Sequence, residues 1–155
     1  MDRSENMRRI KASGSKAEVY LRKAVWNLGL RYRKNYRAVT GVPDLCFIGC
    51  RAAVFCDSEF WHGKKLLEGE VPVTNSSFWI DKLQGNIKRD REVNKKLCDE
   101  GWLVLRFWNT DLLRNSSSCA DALDLRLGAW SSEGKPSGLI ERFHLATNSW
   151  RSDVC

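Results

Sequence analysis

The sequence predicts an α/β domain with a central mixed β-sheet flanked by helices. Two segments show helical periodicity, three short apolar runs lie between them, and a fourth, WLVLRFW at 102–108, follows the second helix. The order helix, three strands, helix, strand, helix gives a sheet with both parallel and antiparallel neighbours.

The first helix is expected over 15–28, where Ala17, Leu21, Ala24, Val25 and Leu28 recur at helical spacing. Ser15 and Glu18 have the form of a capping box, and Gly29 supplies the stop. Strand-like runs follow at 32–36, 45–48 and 52–56, separated by the turn signals Val42-Pro43-Asp44 and Gly49-Cys50-Arg51. The stretch 63–77 has few apolar anchors and reads as a surface loop. A longer helix is predicted over 78–100. Leu83, Asn86, Ile87, Asp90, Val93 and Leu97 form one stripe, with Lys82, Lys88, Arg89, Arg91, Lys95 and Lys96 opposite. Gly101 ends that helix, 102–108 reads as a buried strand, and a third helix is expected over 118–130. SSEGKPSG then reads as a linker, and the last 15 residues show little pattern beyond packing by Phe143, Leu145 and Trp150. The chain thus divides into a basic arm at 1–14, a folded domain at 15–130 and a C-terminal tail at 131–155.

With 155 residues, one domain can bury a core without disulfide or metal staples. Hydrophobic content of 43% against 29% charged residues excludes a disordered chain. Lys and Arg number 26 against 19 Asp and Glu, a net charge of +7, which favours a polyanionic partner such as nucleic acid. Ribosome-associated and membrane-surface proteins share that balance. The six cysteines contain no CxxC pair, and MDRSENMRRIK has no apolar export signal. Free thiols and a soluble cytoplasmic protein, nucleoid-associated if bacterial, are therefore expected. No run approaches the roughly 20 apolar residues of a membrane span.

Several residues invite a chemical reading. Asp44 follows Pro43 at a strand start and reads either as a turn aspartate or as a carboxylate at a sheet edge. The next strand ends in Asp57, Ser58 and Glu59, and neighbouring strands bringing acids to one edge suit a hard divalent cation. Such a cation serves phosphodiester hydrolysis by neutralising developing charge and activating water. His62 follows closely; it is either a packed histidine or a proton carrier. Phe60 and Trp61 read as core residues or as wedges between bases. Glu18 is explained by the capping box alone. Asp90, inside an apolar stripe, is costly unless paired or near a metal. Arg3, Met7, Arg8, Arg9, Ile10 and Lys11 form either a frayed terminus or an arm that folds against DNA.

Taken together, RSENMRRI, Ala17-Glu18, GVPDL, AVFCDSEFWHG, FWIDKLQGNIKRDR and GWLVLRFW resemble the very short patch repair (Vsr) endonucleases, in order and spacing, over 3–113. The resemblance implies a restriction-endonuclease-like fold over 15–130 and an endodeoxyribonuclease that needs Mg²⁺. It implies that Asp44 is a direct metal ligand, with the Cys56 backbone carbonyl as the second. Glu18 and His62 would hold metal-bound waters, His62 being the general acid/base, and Asp90 would orient His62 or the water network. Phe60, Trp61 and Trp79 match aromatics that intercalate beside a mismatched pair, and Met7 matches a wedge entering from the minor groove. Lys82 and Asn86 match retained positions for phosphate contact or structural support, and Arg8 belongs to the DNA-binding arm.

The chain departs from the family pattern in two places. The best-known members carry a structural zinc held by three cysteines and a histidine, and those positions here read Glu59, Lys64, Leu66 and Thr110. No structural zinc is expected. Cys56 stands where the pattern has threonine and Asp57 where it has histidine, so Asp57 would add a metal ligand or a second acid. The expected activity is nicking of duplex DNA at T:G mismatches left by 5-methylcytosine deamination, by a monomer linked to a cytosine methyltransferase. Cutting of matched duplex by a restriction- or homing-type enzyme is one alternative, and an inactive DNA-binding module is another.

Overall fold

A computed structural model describes residues 15–59, 63–64, 68–70, 76–133 and 138–152. Helix α1 is Lys16–Asn27, followed by strands β1 (Arg33–Lys34), β2 (Leu45–Phe47) and β3 (Ala52–Asp57). Helix α2 is Ser76–Asp99, and it leads into β4 (Leu103–Trp108) and α3 (Asn109–Ser132). Strands β5 (Leu139–His144) and β6 (Ser149–Ser152) complete the described chain.

The six described strands form one mixed sheet in sequence order. β1, β2 and β3 pair antiparallel, β3, β4 and β5 pair parallel, and β6 closes antiparallel on β5. Helices cover both faces, as expected for an α/β sheet with a buried parallel centre. Ala17, Leu21 and Val25 of α1 pack with Leu112, Leu123 and Trp130 of α3 on one face, against Val54, Leu105 and Phe107. On the other face Leu97 of α2 meets Phe55, Val104 and Ile140, with Val93 packed alongside.

Local chemistry explains most element boundaries. Ser15 caps α1 by accepting the Glu18 amide at 3.3 Å, and Gly29 leaves the helix at φ +88°. Leu28, expected on the apolar stripe, is exposed beyond the last turn. β1 is shorter than the expected 32–36 run because Asn35 takes φ +47°, although the Asn35 and Tyr36 amides still donate to the Asp44 and Pro43 carbonyls.

Two C-terminal features differ from the sequence reading. α3 starts at Asn109, not near 118, and breaks at Asn115 (φ −157°, ψ 79°). Asn115 Oδ1 accepts the Ser118 amide at 3.0 Å, so the expected start at 118 corresponds to the second, locally capped segment. The stretch after α3, weakly patterned in sequence, supplies a sheet hairpin. Phe143 is buried and packs with Trp150 and Phe107, ring centres 5.2 and 5.8 Å away. None of the helices among the described residues is long and apolar enough to cross a membrane.

Candidate active site

β2 runs antiparallel to β3 with Leu45 opposite Val54, so the start of β2 lies level with the carboxyl end of β3. Asp44 therefore stands beside Cys56, and its Oδ2 accepts the Cys56 amide at 2.7 Å. The chain reaches that position through a strained turn. Gly41 has φ +79° and packs too closely against Val93 and Phe55 to carry a side chain. Val42, β-branched, is held at φ +51°, a conformation that costs on the order of 1–3 kcal/mol.

α1 brings Glu18 to the same edge. Its backbone amide completes the cap on Ser15, while its carboxyl group is buried and hydrogen-bonds the Asp44 carboxyl. Arg22, one turn on, lies 3.5 Å from Glu18. One residue thus serves the helix end through its amide and the site through its side chain. Burial, the Glu18 hydrogen bond and the Glu18 charge together push the Asp44 pKa up to about 9, against the opposing pull of the Cys56 amide. Two buried carboxyl groups in contact hold a proton that a divalent cation would displace, so this donor set fits a hard metal.

Asp57, the next residue on β3, faces the α2 side of the sheet. Arg106 Nη1 donates to its Oδ1 at 3.0 Å and Oδ2 at 3.1 Å, and Arg142 Nη2 donates to Oδ2 at 2.9 Å. Asn94 of α2 accepts from Arg106 Nε and Nη2 at 2.9 and 2.7 Å. Arg106 also stacks 4.3 Å from the centre of the Phe55 ring and Arg142 3.8 Å from that of Trp108. The sequence reading offered Asp57 as a metal ligand or second acid, and the structure places its carboxylate in this buried ion-pair cluster. Asn94, Arg106 and Arg142 were not singled out from the sequence. An arginine inside the apolar run WLVLRFW was the available signal, because a buried guanidinium must be paired.

Asp90 is half-buried on α2, one turn before Asn94. It does not complete a three-acid metal cluster with Glu18 and Asp44 among the described residues. Asn86 is half-buried and accepts from Arg89 at 3.4 Å. Lys82 is exposed with its Nζ 6.0 Å from the Phe78 ring centre, and Trp79 packs edge-on to Phe78. His62, Phe60, Trp61, Met7 and Arg8 lie outside the described residues. Gly63, directly after His62, is described: at φ +65°, its absent Cβ would stand 2.7 Å from Ile87 Cδ1. Gly63 therefore abuts α2 at Ile87, one turn from Asp90.

The family described as DNA mismatch endonuclease Vsr matches residues 1–68. The type II nicking enzyme V.NmeDIP of Neisseria meningitidis serogroup C is 47% identical over 120 residues, covering 77% of this chain and 81% of the relative. The chain belongs to the Vsr family. V.HpaIIP of Haemophilus parainfluenzae, also a type II nicking enzyme, is 46% identical over 68% of this chain and 75% of its own. The DNA mismatch endonuclease Vsr of Escherichia coli K12 is 32% identical over 83% of this chain and 82% of its own. The protein is accordingly a Vsr-family DNA endonuclease with the expected α/β fold.

Within the Vsr family, the four positions that the resemblance aligns with zinc ligands take a different form here. Glu59 Oε1 accepts the Thr110 amide at 2.9 Å and the Thr110 hydroxyl at 3.0 Å. Trp108, the residue in the cap position of α3, offers no side-chain acceptor, so Glu59 caps that helix from 51 residues away. The Lys64 amide donates to the Glu59 carbonyl at 2.8 Å, and Lys64 Nζ lies 5.7 Å from the Trp108 ring centre. Leu66 lies outside the described residues. Among the described residues Cys46, Cys50, Cys56, Cys98 and Cys119 stand outside any disulfide. Burial pushes Cys46 up to about 11 and Cys119 up to about 12, which keeps both protonated near neutrality.

Proposed function

We propose that the protein nicks one strand of duplex DNA at T:G mismatches, such as deamination of 5-methylcytosine leaves, in a Mg²⁺-dependent reaction. The observation that carries the metal-dependent part is the buried contact between Asp44, Glu18 and the Cys56 amide. The mismatch part rests on similarity to a relative named as a mismatch endonuclease. Asp44 and the Cys56 carbonyl would hold the divalent ion. When bound, it supplies charge neutralisation at the scissile phosphate and makes water more acidic.

The chain's own residues do the rest. Asp44 keeps its proton against Glu18 in the empty site, and Glu18 would accept hydrogen bonds from water in the loaded one. His62 serves as general acid/base, moving a proton at its imidazole nitrogen, and Asp90 orients it. Phe60, Trp61 and Trp79 wedge beside the mismatched pair, with Met7 entering from the minor groove. Arg8, Lys82 and Asn86 hold the phosphate backbone, consistent with the net charge of +7. The protein acts as a cytoplasmic monomer, functionally linked to a cytosine methyltransferase.

A nicking assay on labelled duplexes, T:G against fully matched, with Mg²⁺ or with EDTA, tests this reading. Mg²⁺-dependent cutting of the T strand of the mismatched duplex alone is expected. Equal cutting of both duplexes would replace it with the restriction- or homing-type reading. Salt-sensitive binding without cutting would replace it with a DNA-binding module. Full activity in Asp44→Ala would remove the site assignment itself.

A further inference from the structure

We propose that Asp57 is a positioning residue: its clamp on Arg106 and Arg142 sets the direction of the Cys56 carbonyl and makes the C-terminal hairpin part of the active site. This rests on the proposed metal-holding role of Asp44 and Cys56.

The Cys56 carbonyl and the Asp57 amide belong to one planar unit, so whatever fixes the Asp57 backbone also fixes where that carbonyl points. Asp57 is the last residue of β3, opposite Trp108 at the end of the ladder with β4. Its side chain adds a second restraint at this strand end. Three hydrogen bonds of 2.9–3.1 Å from two guanidinium groups hold it, and its side chain is only 2% exposed. The same strand end receives Asp44 through the Cys56 amide, so both proposed metal-holding groups depend on one short stretch of backbone.

Direct metal binding by Asp57 is the competing explanation, and the geometry disfavours it. Both of its carboxylate oxygens already accept hydrogen bonds from guanidinium groups, Oδ1 from Arg106 and Oδ2 from Arg106 and Arg142. A dication at the same oxygens would have to displace those charge-assisted bonds. The three members come from β3, β4 and β5, with Phe55 opposite Arg106 and Arg106 opposite Arg142 in the parallel register. Arg142 thereby carries the restraint from the hairpin, 85 residues away in sequence, to the edge that holds Asp44.

The test compares Arg142→Gln, Arg142→Lys and Asp57→Asn with the unaltered full-length protein. Removing Asp57 takes the carboxylate from between two arginines and is expected to unfold the chain in part. Arg142→Gln keeps the Asp57–Arg106 pair and is the decisive variant. Two readouts are used: hydrogen exchange at the Cys56 amide in metal-free protein, and Mg²⁺ affinity by calorimetry without DNA. In Arg142→Gln, Cys56 exchange is expected to accelerate about tenfold or more while Val54 and Leu105 stay protected. Mg²⁺ binding is expected to weaken about 10–100-fold, with partial recovery in Arg142→Lys. Unchanged exchange and affinity in folded Arg142→Gln would overturn the proposal. So would loss of Mg²⁺ binding in folded Asp57→Asn with none in Arg142→Gln, since that marks Asp57 as a ligand. Neither readout involves mismatch cutting, so failure of the nicking assay leaves this test intact, and absence of Mg²⁺ binding in the unaltered protein would remove the metal-site reading instead.

Discussion

Glu18 and Asp44 are joined carboxyl to carboxyl between α1 and the start of β2, and Asp44 is pushed up to about 9 by burial, by that bond and by the neighbouring charge. A carboxyl group raised this far binds its proton more tightly in the folded chain than in the unfolded one. Its contribution to stability is complete below about pH 4 and is lost as pH rises through about 9. The thermal midpoint of metal-free protein is therefore expected to fall steadily from pH 5 to pH 9.5. Asp44→Asn, which keeps the shape without the titration, flattens that slope. A level profile in the unaltered protein would contradict the buried acid pair.

The same proton competes with metal. Binding at the proposed Asp44 site must expel it, so the apparent Mg²⁺ affinity is expected to fall about tenfold for each unit by which the pH is lowered, wherever the pair holds one proton. Glu18→Gln removes the partner charge and makes the dependence shallower, at a cost of about 10–100-fold in affinity at high pH. Calorimetric titrations at pH 6, 7 and 8 measure both, and pH-independent binding would count against displacement of a proton.

Glu59 caps α3 across the fold. Glu59→Ala is expected to lower stability by about 1 kcal/mol, the usual worth of a helix cap, with Glu59→Gln in between. Urea unfolding checks the order of the three proteins. Equal midpoints would mean that the bonds to Thr110 are not retained in solution.

The exposed basic face of α2 opposes its buried stripe, and Lys82 lies near its start. Lys82→Ala is expected to weaken duplex binding evenly across sequences and to reduce the slope of log K against log salt by about one. Binding isotherms at several salt concentrations decide this, and an unchanged slope would remove Lys82 from the phosphate contacts.

The sequence by itself determined the elements that depend on neighbours in the chain. The Ser15 cap, the Gly29 stop, the α2 stripe and the apolar run of β4 are all written within a few residues, and α/β alternation followed from their order. Asp44 was legible only in part: a strand start after Pro43 allowed either a turn aspartate or a carboxylate at a sheet edge, and the fold sets it beside the Cys56 amide. Other features were decided only by tertiary structure, since their partners are far apart. Glu18 looked sufficient as a helix cap until folding set its side chain against Asp44. Asp57 looked like a free acid until the sheet placed Arg106 and Arg142, 49 and 85 residues away, on both its oxygens. The C-terminal strands were faint for a related reason: Phe143 and Trp150 gain their burial from Phe107, and an edge hairpin without local periodicity takes its register from the strand beside it. Local propensity and turn chemistry drew the scaffold, and long-range charge pairing and packing decided where each acid stands and what it touches.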